Sequence, residues 1–136
     1  MIKLALILLA TTLLAQAEAT VRVEGMPWAT IQNDGCLRIH GYIVGYLEKD
    51  GTIRRRGTRI GQIDEKGRLR YQGVLVGELE GNGTLRSQGC IIGCIEESGL
   101  IRRGGSLWGE LEKGDPQSRR ATAALLFFFR DDFAQP

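Results

Sequence analysis

Histidine occurs once in the 136 residues, at His40, and no serine–histidine–aspartate order can be built around it unless the fold supplies the neighbours. Cysteine occurs three times, at Cys36, Cys90 and Cys94, so at most one intramolecular disulfide can form and one thiol is left over. Cys90 and Cys94 are four residues apart on an expected strand, about 13 Å along it and too far to bond each other. A bridge from Cys36 to either stays open. A metal centre would need Cys36 and His40 to converge on that pair, and the spacing matches no zinc pattern, so neither a metal nor another cofactor is expected. Burial in small slots of the fold is the plainer reading of the cysteines. Charge of one sign is missing too: 18 Lys and Arg stand against 16 Asp and Glu, for a net +2, which argues against general nucleic-acid binding. Carboxylates are abundant, but no two stand out as a glycosidase couple, and an enzyme is not expected.

Apolar stretches such as Leu4–Ala10 and Leu13–Ala15 are shorter than the roughly 20 residues that a membrane-crossing helix needs. With Lys3 ahead of them and the small-residue pattern Ala15-Gln16-Ala17 behind, they read as a secretory signal peptide over residues 1–17, cleaved after Ala17 or Ala19. An uncleaved anchor is the alternative. No cysteine sits just past that point to suggest a lipoprotein. Loss of Lys3 leaves 17 basic against 16 acidic residues. The mature chain is expected in the periplasm, outside the cell or at its surface, and not to span the membrane.

What the chain has in plenty is glycine, 19 residues, laid out in combs. Gly25, Gly41, Gly57, Gly73, Gly89 and Gly105 fall sixteen residues apart. Gly45, Gly61, Gly77, Gly93 and Gly109 form a second comb, and Gly35, Gly51, Gly67, Gly83 and Gly99 a third. The shared unit reads G-x-x-[VI]-G-x-[IL]-[DE]-x-x-G-x-[IL]-R-x-x. A unit this short cannot bury a face alone, so neighbouring copies must form one another's core.

Stretches such as Glu48-Lys49-Asp50-Gly51-Thr52 predict three-residue hairpin loops with the glycine left-handed. Leu47 then lies opposite Ile53, Ile63 opposite Leu69, Leu79 opposite Leu85 and Ile95 opposite Ile101. His40-Gly41, Arg56-Gly57, Gln72-Gly73 and Gln88-Gly89 predict two-residue hairpin turns, and Gly45, Gly61, Gly77 and Gly93 predict bulges or bends. The chain is thus an antiparallel meander. Thr20–Glu24 matches the second half of a unit, with Arg22 in the arginine slot, and Gly105–Gly114 the first half, so pairing them would close the sheet and remove its edges. The expected fold is all-β: a propeller-like ring of short hairpins over residues 20–114, of five-fold or six-fold order. A β-solenoid is the alternative. Residues 115–136 change character. Asp115 is a good N-cap and Pro116 a good first helical residue, which predicts a helix over Pro116–Phe129 that caps or plugs one end of the ring. The alternatives are a strand, because Phe127-Phe128-Phe129 favours β structure, and a membrane-inserting or partner-docking tail.

Units such as Ile92-Gly93-Cys94-Ile95-Glu96-Glu97-Ser98-Gly99-Leu100-Ile101-Arg102, followed by an alanine-rich tail with a run of phenylalanines, resemble the five-fold beta-flower proteins. The resemblance covers about Val21 to Phe129. It implies a small exported bacterial protein with pseudo-symmetric hairpin petals around an axis, and it carries over no catalytic residues. The number of units and the Cys and Trp substitutions depart from the family's pattern.

Function in a repeat is sought in its exceptions. Trp28 and Trp108 replace the Val44, Ile60, Val76 and Ile92 of other units, and ring closure would bring them together. They either fill the seam or offer, with Tyr42, Tyr46 and Tyr71, an aromatic platform for a sugar or peptide. Arg38, Arg54, Arg70, Arg86 and Arg102 would form a circle of positive charge able to hold an anion, or each would pair with the acid at its own hairpin. Arg54-Arg55-Arg56 and Arg102-Arg103 read as solvated basic spots. The functional expectation is a non-enzymatic exported binding module, its partner a cell-envelope protein or a glycan. The alternative is a structural or assembly subunit of the envelope working through the Phe-rich tail.

Overall fold

Six hairpins account for the sheet, and the computed structural model describes them within residues 18–134. The expected leader, residues 1–17, lies outside the described residues. The strands are β1 (Glu18–Val23), β2 (Met26–Gln32), β3 (Cys36–Ile39), β4 (Tyr42–Leu47), β5 (Thr52–Arg55) and β6 (Thr58–Ile63). They continue as β7 (Arg68–Tyr71), β8 (Val74–Leu79), β9 (Thr84–Ser87), β10 (Cys90–Ile95), β11 (Leu100–Arg103) and β12 (Ser106–Leu111). Each is antiparallel to its sequence neighbours, and β12 pairs with β1 to close the barrel. In that seam Val21 faces Leu111, Arg22 faces Glu110 and Val23 faces Gly109, so the two terminal half-units pair into a sixth unit. The order is therefore six, with no open edge among the described strands.

Two kinds of turn alternate around the ring. In the two-residue turns both residues have positive φ, as at His40 (50°) and Gly41 (85°), the geometry whose twist matches that of the flanking strands. At the other end come the three-residue loops. Gly67 has φ 84°, its N–H donates to the Asp64 carbonyl at 3.0 Å, and its carbonyl accepts from Leu79 N–H of the next unit at 2.8 Å. A Cβ on Gly67 would collide with the Leu79 carbonyl, so this glycine is needed both for its φ and for its lack of a side chain. The barrel thus has a turn end and a loop end.

Every two-residue hairpin carries a bulge. Leu37 faces Gly45 while Arg38 faces Ile43, which leaves Val44 unpaired, and the slip recurs at Trp28, Ile60, Val76, Ile92 and Trp108. The extra residue is thus one place before the glycine where the sequence put it. The slip lets Val44 and its equivalents, with Leu47 and its equivalents, both pack toward the core. The glycines are paired normally and have a different duty: a Cβ on Gly45, Gly61 or Gly77 would strike the rings of Phe129, Phe128 and Phe127 respectively.

The Phe127 and Phe128 rings belong to α1 (Pro116–Phe128) and the Phe129 ring to its C-cap, and a short α2 (Asp131–Ala134) follows. Asp115 caps α1 by accepting from Ser118 N–H at 3.1 Å, and Pro116 opens it. The helix ends one residue before the expected boundary. Ala121, Thr122, Ala123, Ala124, Leu125 and Leu126 are all buried, which no one-sided helix can achieve, and α1 touches β2, β6, β8 and β12 around the ring. It therefore runs inside the barrel, about 20 Å long, with its N-terminus at the loop end. The core is the sleeve between helix and wall, where Leu37, Ile53, Leu69, Leu85 and Ile101 are fully buried with Leu125 and Leu126.

Candidate functional site

The turn end gathers the chemistry. Strand alternation points Ile53 inward, Arg54 outward and Arg55 inward, so Arg55 reaches the end of α1. One of its terminal nitrogens donates to the Phe128 carbonyl at 2.6 Å, and its guanidinium lies 5.0 Å from the Phe129 ring centroid. A cation there satisfies a helix C-terminal carbonyl and opposes the negative end of the helix dipole. Beside it opens a cleft of about 290 Å³ lined by Arg55, Ile60, Tyr71, Val76, Phe127 and Phe128. The Tyr71 and Phe128 rings form one wall, 6.4 Å between centroids and tilted 38°. This cleft is a concavity of mixed character, polar and apolar in about equal parts, in which one guanidinium and one phenol join four apolar side chains.

The other half of the mouth is roofed by α2. Phe133 is fully buried and meets Trp108 edge to face at 4.9 Å, while Arg103 Nε donates to the Phe133 carbonyl at 2.8 Å. Trp28 and Trp108 come together across the seam, 6.2 Å apart at 86°. Arg130 lies over both, 5.1 Å from Trp28 and 4.8 Å from Trp108. Trp28 is only 7 % exposed, so these two rings meet each other, Arg130 and Phe133 in place of an open platform.

The repeated arginines lie on the outer wall. Arg54 pairs with Glu48, Arg86 with Glu80, and Arg102 with Glu96, the last at 2.7 Å. The glutamate hydrogen bonds, then their charge, hold Arg86 and Arg102 more firmly protonated than a free arginine. Arg38, Arg54 and Arg86 also reach the carbonyls of Gly41, Gly57 and Gly89 in the turns. In the unit that starts at Gly57, Asp64 pairs with Arg68 at 3.8 Å, so Arg70 does not repeat the pattern. The arginines thus form a girdle outside the barrel and do not converge on the mouth. Tyr46 is on the same outer wall, opposite Cys36 in the ladder, and that sulfur, by its charge and its hydrogen bond, raises the Tyr46 hydroxyl above its ordinary value of 10.0. Of the two basic spots, Arg55 and Arg56 are exposed as expected, while Arg55 and the half-buried Arg103 also donate to carbonyls of the tail.

The mouth is ringed by exposed apolar side chains. Met26, Tyr42 and Val74 occupy the first position after their turns, and Ile43, Leu75, Ile91 and Leu107 the second, each half or more exposed. His40 is exposed in its turn. At the loop end lie two further clefts, of about 240 Å³ beside Glu18, Asn33 and Ser118, and about 180 Å³ beside Lys66, Arg119 and Arg120. Arg120 donates to the carbonyls of Asp64 and Ile63 at 2.7 and 3.3 Å. Arg119 is 8 % exposed, and its Nε has no hydrogen-bond partner. Burial works against the charge on Asp64, yet N–H groups of Arg68 and Lys66 outweigh it and keep this carboxyl below its ordinary value. Burial is likewise overcome at Asp115, by hydrogen bonds from Ser118. Cys36 is buried, Cys90 exposed and Cys94 half-buried, and none is in a disulfide. Among the described residues no three His, Cys, Asp or Glu side chains gather into a metal set, and no helix is long and apolar enough to cross a membrane.

No protein-family model matches this chain, nor does any curated protein or solved structure.

Sequence reasoning missed Arg55, Phe127 and Phe128 as a group. The signal for Arg55 was available in the alternation, which turns the residue after the repeated arginine inward. For the phenylalanines there was no local signal, because their partners lie dozens of residues earlier.

Proposed function

We propose that the protein is a non-enzymatic exported binding module, active in the periplasm or at the cell surface, whose site is the turn-end cleft. The observation that carries this reading is the cleft's lining: one guanidinium, one phenol and four apolar side chains around about 290 Å³. Such a lining suits a small amphipathic anion, with an apolar body against Ile60, Val76 and Phe127 and a negative group at Arg55. It offers no nucleophile next to a base, which fits binding better than turnover. The alternative role, assembly through the Phe-rich tail, would need that tail at the surface, whereas Leu125 and Leu126 are fully buried. Kinship with the beta-flower proteins belongs to the same proposal. It is supported by the repeat signature and by hairpins arrayed about an axis, with six hairpins where that family has five.

The test uses 8-anilinonaphthalene-1-sulfonate, an aromatic sulfonate, as the probe. Its fluorescence should rise saturably with the protein, and Tyr71→Glu should weaken binding at least about tenfold at an unchanged melting temperature, since it sets a like charge beside the sulfonate. Equal binding by the wild type and by Tyr71→Glu would remove the cleft as the site.

A further inference from the structure

We propose that the turn end is a docking face for an anionic lipid bilayer. This goes beyond the cleft reading and needs no ligand in the cleft. Among the described residues the exposed large apolar side chains gather at this end: of nine, eight lie within two residues of a two-residue turn, Tyr46 alone lies farther off, and none is at the three-residue loops. Because the register repeats in every hairpin, residues in one slot fall at one level along the barrel axis. Met26, Tyr42 and Val74 thus form one tier, with Ile43, Leu75, Ile91 and Leu107 just behind it. A level ring of separate apolar tips matches a flat, deformable surface better than it matches a groove-filling peptide. Tyr42 and Tyr71 add the amphipathic rings that settle at headgroup depth.

Charge supplies the complementarity. In the hairpin of β5 and β6 the apolar tips give way to Thr58 and Arg59, flanked by Arg55 and Arg56, and His40, Arg103 and Arg130 stand at the same end. The girdle arginines reach over to the turn carbonyls with their glutamate partners behind them. Glu24 is the one acid within the turns themselves, and Asp132 of α2, at the same end, pairs with Arg130 at 2.9 Å and offsets its charge. The opposite end carries Asp34, Asp50, Asp64, Glu65, Glu97 and Asp115 in or beside its loops, with Glu48, Glu80 and Glu96 at the loop starts, and these nine acids outnumber the six bases there, Lys49, Lys66, Arg68, Lys113, Arg119 and Arg120. The molecule is therefore an axial dipole with a basic, apolar face and an acidic back. An anionic surface attracts the first and repels the second, so charge orients the barrel with its mouth on the lipid before the tips insert.

The experiment is sedimentation of the full chain with vesicles of phosphatidylcholine alone and of phosphatidylcholine mixed with phosphatidylglycerol. Binding should require phosphatidylglycerol and be released by salt. Arg56→Glu with Arg59→Glu should weaken it by about thirtyfold or more, at about tenfold or somewhat less per arginine. Glu24 already holds the turn position of Arg56, at φ 53° against 51°, so this variant keeps the fold. Lys49→Glu with Lys66→Glu makes the same charge change at the loop end and should alter binding less than about twofold. Leu75→Ser with Ile91→Ser should weaken it about tenfold without lowering the melting temperature, both side chains being exposed. Equal losses from the two charge-reversed pairs would reduce the effect to net charge and overturn the proposal. No loss from any variant would assign binding to the leader, which joins the barrel at Glu18, on the loop end. A dimer that Leu75→Ser with Ile91→Ser dissociates would give the face to a second copy. The dye titration reads the cleft without vesicles, so the two proposals fail separately.

Discussion

Gly61 shows why a glycine in a strand can be indispensable at an unremarkable φ. An added Cβ would meet the Arg70 carbonyl and the Phe128 ring, both at 2.6 Å, and neither a ladder carbonyl nor a ring wedged into the core can retreat. Gly61→Ala should therefore lose about 1–3 kcal/mol in urea denaturation, whereas Gly73→Ala, with open space around its Cβ, should lose about 1 kcal/mol from its positive φ alone. Equal losses would mean that Phe128 does not rest on Gly61. Arg119 poses the reverse case. Its buried, unpartnered Nε makes Arg119→Met a candidate for stabilisation by about 1 kcal/mol, read from the same denaturation curves. Of these residues, the sequence made the turn glycines legible, because Gly41 and Gly67 sit beside polar turn formers. At Gly45, Gly61 and Gly77 the sequence predicts only bulges or bends, since nothing near them announces that a phenylalanine from the tail takes the place of a side chain.

Among the elements, α1 decides stability. Its start was readable from Asp115 and Pro116, because capping is local chemistry; its depth was not, because insertion depends on a barrel wide enough to admit it. The β preference of Phe127-Phe128-Phe129 is overruled by the same enclosure. Leu125→Ala should cost about 2–5 kcal/mol, as expected for a fully buried leucine. A chain ending at Gly114 should leave a hollow, apolar-lined barrel that aggregates in size-exclusion chromatography; a folded, monodisperse truncation would show that the wall stands alone. Asp115→Ala should cost about 1 kcal/mol through loss of the cap. The Asp115 carboxyl is lowered on folding, so its contribution is complete above the ordinary value of 3.8 and is lost as pH falls through the lower folded value. Asp115→Asn keeps the cap and should flatten that acid limb in melts taken between about pH 5 and pH 2.

At the scale of the molecule, closure by β1 and β12 was legible from two half-units that complete each other, and the six-fold count then follows from pairing them. The candidate site was legible only in pieces: Tyr71 as an exposed aromatic, Arg55 as a basic spot, and nothing that joined them, because the tail that makes the cleft's floor arrives last in sequence. Val21→Asp would place a charge in the seam opposite Leu111, where Val21 is fully buried, and should unfold the barrel or open it to edge-to-edge aggregation, read by light scattering. The seam also contains its own gauge. The chain's two tryptophans, Trp28 and Trp108, meet across β1 under the guanidinium of Arg130. All of the indole fluorescence therefore originates at the joint between the first and last hairpins, and its emission colour and quenching by iodide report whether the ring is latched, with no label and no interference from the other strands.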